Sequence, residues 1–258
     1  MRHDHQCLNC ESTLSGNFCS NCGQKSAIHR ITFRHFIFHD ILHGVWHLEK
    51  GILFTSKQAL VRPGKAALEY LSGKRIRYYN VFYLTLLLIG LNLFINHLQD
   101  QLSHYYFNTV TKLKANSPGA AMDAFLGNNS KLIILSFIPL FATNSFLIFR
   151  RKKLNFSEHF IISGMMFLGV MVITTITSLF YFTYYLKYID FFTGIVNVSY
   201  PLLILVYLTV NYYKTFSEDY TRFQASLRVS LFILLLLIEL VLLILLLFGY
   251  FSDWKFKF

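Results

Sequence analysis

Cysteine is scarce in this chain and confined to one end. Of 258 residues only four are cysteine, all of them within the first 22, so no disulfide framework braces the remainder. Acidic residues are also few, 13 Asp and Glu against 24 Lys and Arg, and charged residues of either sign make up only 14% of the chain. The sequence has no Gly-rich phosphate loop, no nucleophile elbow and no pair of catalytic carboxylates, which removes the readable signatures of nucleotide-binding and hydrolytic sites. Before residue 81 there is no apolar run that would serve as a secretory core, so the cysteine segment does not read as the head of a cleaved signal.

What is present begins with the cysteines themselves. They are spaced Cys7-x2-Cys10-x8-Cys19-x2-Cys22. Each Cys-x2-Cys turn offers two sulfurs to one ion, and two such turns complete a tetrahedral site for zinc. Gly16 and Gly23 stand near the two turns, where backbone freedom is useful. A segment of this size cannot build its own apolar core, so the metal would supply the folding free energy. Four sulfur ligands close the coordination sphere, and the expected site is structural rather than catalytic.

The composition of the rest sets its class. Hydrophobic residues reach 54% and aromatic residues 17%, with a positive mean hydropathy of +0.45. That is more apolar surface than one soluble domain buries. Five stretches are long enough to cross a bilayer, at about 81–98, 132–149, 160–186, 191–211 and 229–251. The expected fold is an all-α membrane protein: a five-span transmembrane helix bundle over 81–258, an N-terminal four-cysteine zinc ribbon over 1–28, and cytoplasmic interfacial amphipathic helices over 29–80.

Orientation follows from the positive charges. Eighteen Lys and Arg flank the spans on the side of the N-terminus, including Arg150, Arg151, Lys152 and Lys153, against six on the other. The positive-inside rule then places the N-terminus in the cytoplasm and the C-terminus outside. Thiols stay reduced in the cytoplasm, which agrees with a metal-binding role for the cysteines. Residues 7–24 of the ribbon carry Glu11 and no Lys or Arg. The chain's charge of +11 therefore tracks topology, and nucleic acid is not an expected partner.

Between ribbon and first span lies a basic, aromatic segment. Over 31–54 an apolar face containing Phe36, Ile41, Val45 and Trp46 alternates with His35, His39, His43 and His47, one every fourth residue. This pattern predicts an amphipathic helix lying in the headgroup region. His39-Asp40-Ile41-Leu42-His43 is similar to the His-Glu-x-x-His motif of metalloproteases, with Asp in place of Glu and no third ligand in view. A second helix is expected from about Lys65 to Leu71. It leads into a lipid-facing basic cluster of Lys74, Arg75 and Arg77, suited to anionic lipid.

Within the apolar body, Glu239 is the one acid near the middle of a span, where an ionised carboxylate is costly and function is the default hypothesis. Asn92, Asn144, Asn197 and Asn211 are its available partners. Pro139 and Pro201 are expected to kink their helices. The stretch from Gln99 to Lys131, with Ser117-Pro118-Gly119 and Gly127-Asn128-Asn129, reads as a turn-rich external link. No broken-helix repeat of transporter type is visible.

The knuckles ending in Asn21-Cys22-Gly23-Gln24, with Arg62-Pro63-Gly64, Glu69-Tyr70 and Gly73-Lys74-Arg75, resemble an uncharacterised zinc-ribbon multipass membrane family of Bacteroidota-type bacteria. The resemblance covers roughly residues 5–95; where that family carries proline, this chain has Val81. It implies a bacterial inner-membrane protein of unknown activity. At the level of architecture the chain is also similar to the Yip family, which implies a role through membrane shaping and protein partners. The expected function is a non-enzymatic scaffold or adaptor whose ribbon docks a cytoplasmic partner. The alternatives are a small transporter or channel using Glu239, and a membrane-interface enzyme using the His39 and His43 face.

Overall fold

The computed structural model describes residues 6–26, 51–107, 118–185 and 190–252. The histidine face of His35, His39, His43 and His47 lies outside the described residues. Among the described residues, seven α-helices follow the ribbon: α1 (Ile52–Val61), α2 (Pro63–Leu71), α3 (Val81–Phe107), α4 (Pro118–Ile148), α5 (Phe156–Phe180), α6 (Asp190–Phe216) and α7 (Arg222–Phe251). Short 3-10 turns occupy Tyr181–Tyr185 and Ser217–Asp219.

Five helices, α3 to α7, are long and apolar enough to cross a membrane, and the chain reads as a membrane protein. Polar flanks extend α3, α4, α6 and α7 beyond their apolar stretches at one or both ends, whereas α5 begins earlier, at Phe156, and stops at Phe180, short of residue 186. The link expected over Gln99–Lys131 is therefore mostly helical: α3 runs on to Phe107, and α4 begins at Pro118. Proline fits the first helical position, where no N–H partner is required. Pro139 and Pro201 both stay inside their helices.

Helix α5 is the centre of the bundle. A capping box starts it, with Asn155 accepting from the Glu158 N–H and the Glu158 carboxylate accepting from the Asn155 N–H. Small residues then let its neighbours approach: a Cβ at Gly164 would press on the Phe82 ring of α3, and one at Gly169 would collide with Tyr207 of α6 and the Ala59 carbonyl of α1. Side-chain hydrogen bonds fix the registers. Asn92 of α3 donates to Thr175 at 2.8 Å, Ser145 of α4 pairs with His159 at 2.8 Å, and Tyr200 of α6 pairs with Thr174 at 2.8 Å.

At the end of the bundle where α5 begins, Phe149, Phe216, Tyr212 and Phe232 stack face to face or tilted, with centroids as close as 4.1 Å, and join α6 and α7 to the end of α4. The linkers meet there as well. Lys152 pairs with Asp219 at 3.0 Å, and the guanidinium groups of Arg151 and Arg228 both lie over the Tyr220 ring. The beginnings of α3, α5 and α7 thus share one face with the ends of α4 and α6, and that face carries the basic linkers.

The segment before the first span departs from expectation. It contributes two helices to the bundle: Thr55, Ala59, Ala66 and Ala67 are fully buried, and α1 and α2 both pack on α5. Ala59 reaches Gly169, thirteen residues inside α5 and about 20 Å along its axis at ~1.5 Å per residue. Small residues explain the difference, because Gly64, Ala66 and Ala67 permit close approach to spans that a surface helix would not make. Gly64 sits directly against Thr215 of α6. Opposite, Leu53, Lys57 and Val61 form the exposed stripe of α1.

Candidate metal centre and the hairpin it docks on

The ribbon is built from two copies of one turn, offset by twelve residues. In the first, the Cys7 N–H donates to the Ser12 carbonyl and the Glu11 N–H to the Cys7 carbonyl; in the second, the Cys19 N–H donates to the Gln24 carbonyl and the Gly23 N–H to the Cys19 carbonyl, all at 2.8 to 2.9 Å. Isolated bridges, Gln6 with Thr13 and Phe18 with Lys25, close the two turns in the same way. Each turn needs a left-handed residue just after its second cysteine. Gly23 takes it at φ 74°, but in the first turn the residue is Glu11 at φ 62°, and Gly16 lies elsewhere with no such conformation.

The four sulfurs lie within 4.8 Å of one another, with Cys7 to Cys22 and Cys10 to Cys19 each at 3.5 Å. A tetrahedral ion with metal–sulfur bonds of ~2.3 Å needs its ligands at about this separation, whereas a disulfide needs ~2.05 Å. The donor set fits one thiophilic ion. Ser12 supports it: the Cys10 thiol lies 3.3 Å from the Ser12 hydroxyl oxygen, which also accepts from the Asn21 amide at 3.0 Å. The Ser12 hydrogen bonds lower the Cys10 thiol to about 6, against a small opposing effect of burial. Cys10 is thus inclined to the thiolate that metal binding requires.

The ribbon does not hang free. Gln24 is 4% exposed, and its side-chain oxygen accepts the backbone N–H groups of Arg75 and Ile76 at 3.2 and 3.3 Å. Those residues belong to the turn that joins α2 to the first span. A Schellman motif ends α2, with Gly73 at φ 109°, its N–H on Tyr70, and the Lys74 N–H on Glu69.

Beneath this turn, Glu69 gathers the basic residues. Its carboxylate accepts from Arg77 at 2.9 Å and from the Tyr78 hydroxyl at 2.6 Å, and lies 3.9 Å from Arg62, which in turn bonds Gln58. Burial opposes ionisation of Glu69, but the Tyr78 hydrogen bond and the charges of Arg77, Arg62 and Lys65 together hold its carboxyl below the ordinary value. A depressed carboxyl stabilises the fold above its unfolded value, near ~4.3, and that stabilisation is lost as pH falls through the lower folded value. Burial and the Glu69 carboxylate push the Tyr78 phenol up.

Of the basic cluster expected to face lipid, Arg77 is therefore paired with Glu69 and lies over the Tyr78 ring, and Arg75 lies over Tyr70 beside the ribbon. Lys74 is half-buried. Among the four asparagines weighed for Glu239, Asn144 is the one that meets it, its amide donating to the carboxylate at 2.7 Å. Asn92 binds Leu88, Thr175 and Ser178, Asn211 the Tyr207 carbonyl, and Asn197 the Tyr181 hydroxyl. Gln24 and Arg75 both stand in the motifs that carry the family resemblance, but nothing in the sequence pairs them, and the Ser145–His159 pair has no motif at all.

A helical membrane-type bundle carrying a four-thiol centre on a buried hairpin is the class that fold and site define. Within it, residues 49–89 match a family described as "Protein of unknown function (DUF3667)". The matched part contains α1, α2, the turn that holds the ribbon and the start of α3. No curated protein and no solved structure matches the chain.

Proposed function

We propose that this chain is a non-enzymatic membrane scaffold, with a zinc ion in the four-cysteine centre and a docking surface on the ribbon above it. The observation that carries this reading is the Gln24 anchor, which ties the second cysteine turn to the backbone of Arg75 and Ile76 and so fixes the ribbon on the bundle. A site meant only to fold the N-terminal segment would not need that attachment. Two apolar side chains, Phe18 at 61% exposure and Leu8 at 43%, stand out from the ribbon where a partner would meet them.

In this reading the N-terminus and the basic face are cytoplasmic, the C-terminus is outside, and the membrane is the inner membrane of a bacterium. Lys74 and the exposed Lys57 and Lys65 of the hairpin meet anionic headgroups, while Arg75 and Arg77 first hold the hairpin together. The test is photo-cross-linking in cells from a benzophenone side chain placed at position 18. A discrete cross-linked protein that vanishes in Cys19→Ser and Cys22→Ser chains is the expected result. No cross-link dependent on the cysteines would end the scaffold reading. Purified chain should carry a single zinc ion, released by chelator together with protease protection of residues 6–26.

A second reading, a small transporter or channel, draws on the hydrogen bond between Asn144 and Glu239. A polar pair within the spans is a starting point for an ion or proton pathway. Unchanged flux in vesicles after Glu239→Gln would remove Glu239 from any such path. An interfacial enzyme would rest on His39 and His43, and unchanged activity after His39→Ala and His43→Ala would remove it.

A further inference from the structure

We infer that a cavity between α5 and α6 holds one acyl chain of a membrane phospholipid. It has a volume of about 480 Å³, within the range of ~300–1,000 Å³ usual for small-ligand sites. Its closed end is the tip of α1. There Leu60 lines the cavity together with Ile173, and the Tyr207 hydroxyl donates to the Ala59 carbonyl, tying α1 to α6 and sealing the cavity on the side of the basic face. From that stop the cavity runs along α5 toward Phe180 and along α6 back to Val196, away from the basic linkers.

The lining states the chemistry. No charged residue contributes to it, and most of its wall is aliphatic or aromatic. Of its polar groups, the Tyr200 hydroxyl is engaged with Thr174, the Tyr207 hydroxyl with Ala59, and the Ser199 hydroxyl with the Val196 carbonyl. Thr177 adds one further hydroxyl to the wall, and the rest of the slot is apolar, with little to reward a polar ligand.

Its mouth lies between Ile176, Phe180 and Leu203, which are 44%, 56% and 50% exposed on two helices apolar enough to span a membrane. This step rests on the membrane reading of the chain. On such a surface the surrounding phase is hydrocarbon, and a slot opening onto it along the helix axes matches a linear chain lying parallel to the spans. The leaflet that supplies it is the one at the C-terminal end of α5, since α1 blocks approach from the other end.

The experiment uses the full chain in vesicles of phosphatidylethanolamine and phosphatidylglycerol, with a minor fraction of phosphatidylcholine carrying a diazirine near the end of one acyl chain. After irradiation, labelled residues are mapped by mass spectrometry. Labelling at Ile176 and Leu203 should exceed that at Leu237, Ile238 and Leu242 of α7, whose exposure is comparable, and the buried Ile173 should be labelled as well. Leu203→Trp, which fills the slot, should reduce labelling at Ile173 about tenfold, a loss of about 1.4 kcal/mol in occupancy. Ser199→Trp fills it from another point on α6 and replaces Leu203→Trp should that variant not fold.

Labelling that follows exposure alone, or that survives both Trp variants, would overturn the site while leaving the membrane reading intact. Disulfide cross-links between copies at Leu203→Cys would overturn it in favour of a second chain at the mouth. Release of the chain from membranes by alkaline carbonate would overturn the membrane reading itself.

Discussion

Helices α5 and α7 are both long and apolar, yet they occupy opposite surroundings. The more apolar of the two is the more exposed: α7 has a mean hydropathy of 3.4 over its apolar stretch with 6% of that stretch buried, while α5 has 2.1 with 67% buried. In a soluble protein the order would be reversed. In hydrocarbon, leucine gains nothing by turning inward, so burial goes to the helix that offers small residues and hydrogen-bonding side chains to its neighbours. Ser163, Gly164, Gly169, Thr175 and Ser178 of α5 are of that kind, whereas α7 from Leu231 to Leu246 is almost uniformly aliphatic with Glu239 as its interruption.

Four experiments probe this contrast, each read as unfolding free energy in bicelles. The largest effect is expected for Gly169→Leu, which drives a side chain into Tyr207 and the Ala59 carbonyl and should cost about 3 kcal/mol through overpacking. A neutral result would show that α1 is not seated on α5. Next comes Ser145→Val, which leaves the buried His159 ring without its partner and should cost about 2 kcal/mol.

The polar contact made by α7 should be weaker. A double-mutant cycle on Asn144→Ala and Glu239→Ala is expected to give a coupling of about 0.6 kcal/mol, the usual value for hydrogen bonds between spans. A coupling near zero would place Glu239 away from Asn144 in the membrane. The smallest effect belongs to Leu242→Ala on the exposed face of α7, within about 0.5 kcal/mol of the parent. A large loss there would mean that α7 is covered by another protein surface rather than by lipid.

Much of this was readable in advance. The four thiols in two Cys-x2-Cys turns foretold a compact four-sulfur cluster, because the spacing itself sets which sulfurs can meet. The five apolar stretches marked the five long helices, since length and hydropathy are local properties. Their ends were misjudged where polar residues such as Asp100 and Asn129 continue a helix past its apolar part. The sequence points to an interfacial segment over 29–80 and to a helix from about Lys65 to Leu71 but not to the helix Ile52–Val61, because apolar positions look alike whether they face lipid or protein. The glycine and alanines at 64, 66 and 67 held the signal, as small residues mark close helix contacts.

By itself, then, the sequence determined the class of the molecule: apolar runs of bilayer length, positive charge gathered in alternate linkers and a self-contained cysteine cluster all follow from residues near one another in the chain. Tertiary structure alone decided that α5 lies at the centre and α7 at the edge, that the ribbon is pinned through Gln24 to the turn before the first span, that Asn144 is the asparagine facing Glu239, and that the tip of α1 borders a cavity. Each of those depends on which surfaces fit together across tens of residues, and hydropathy has no term for fit.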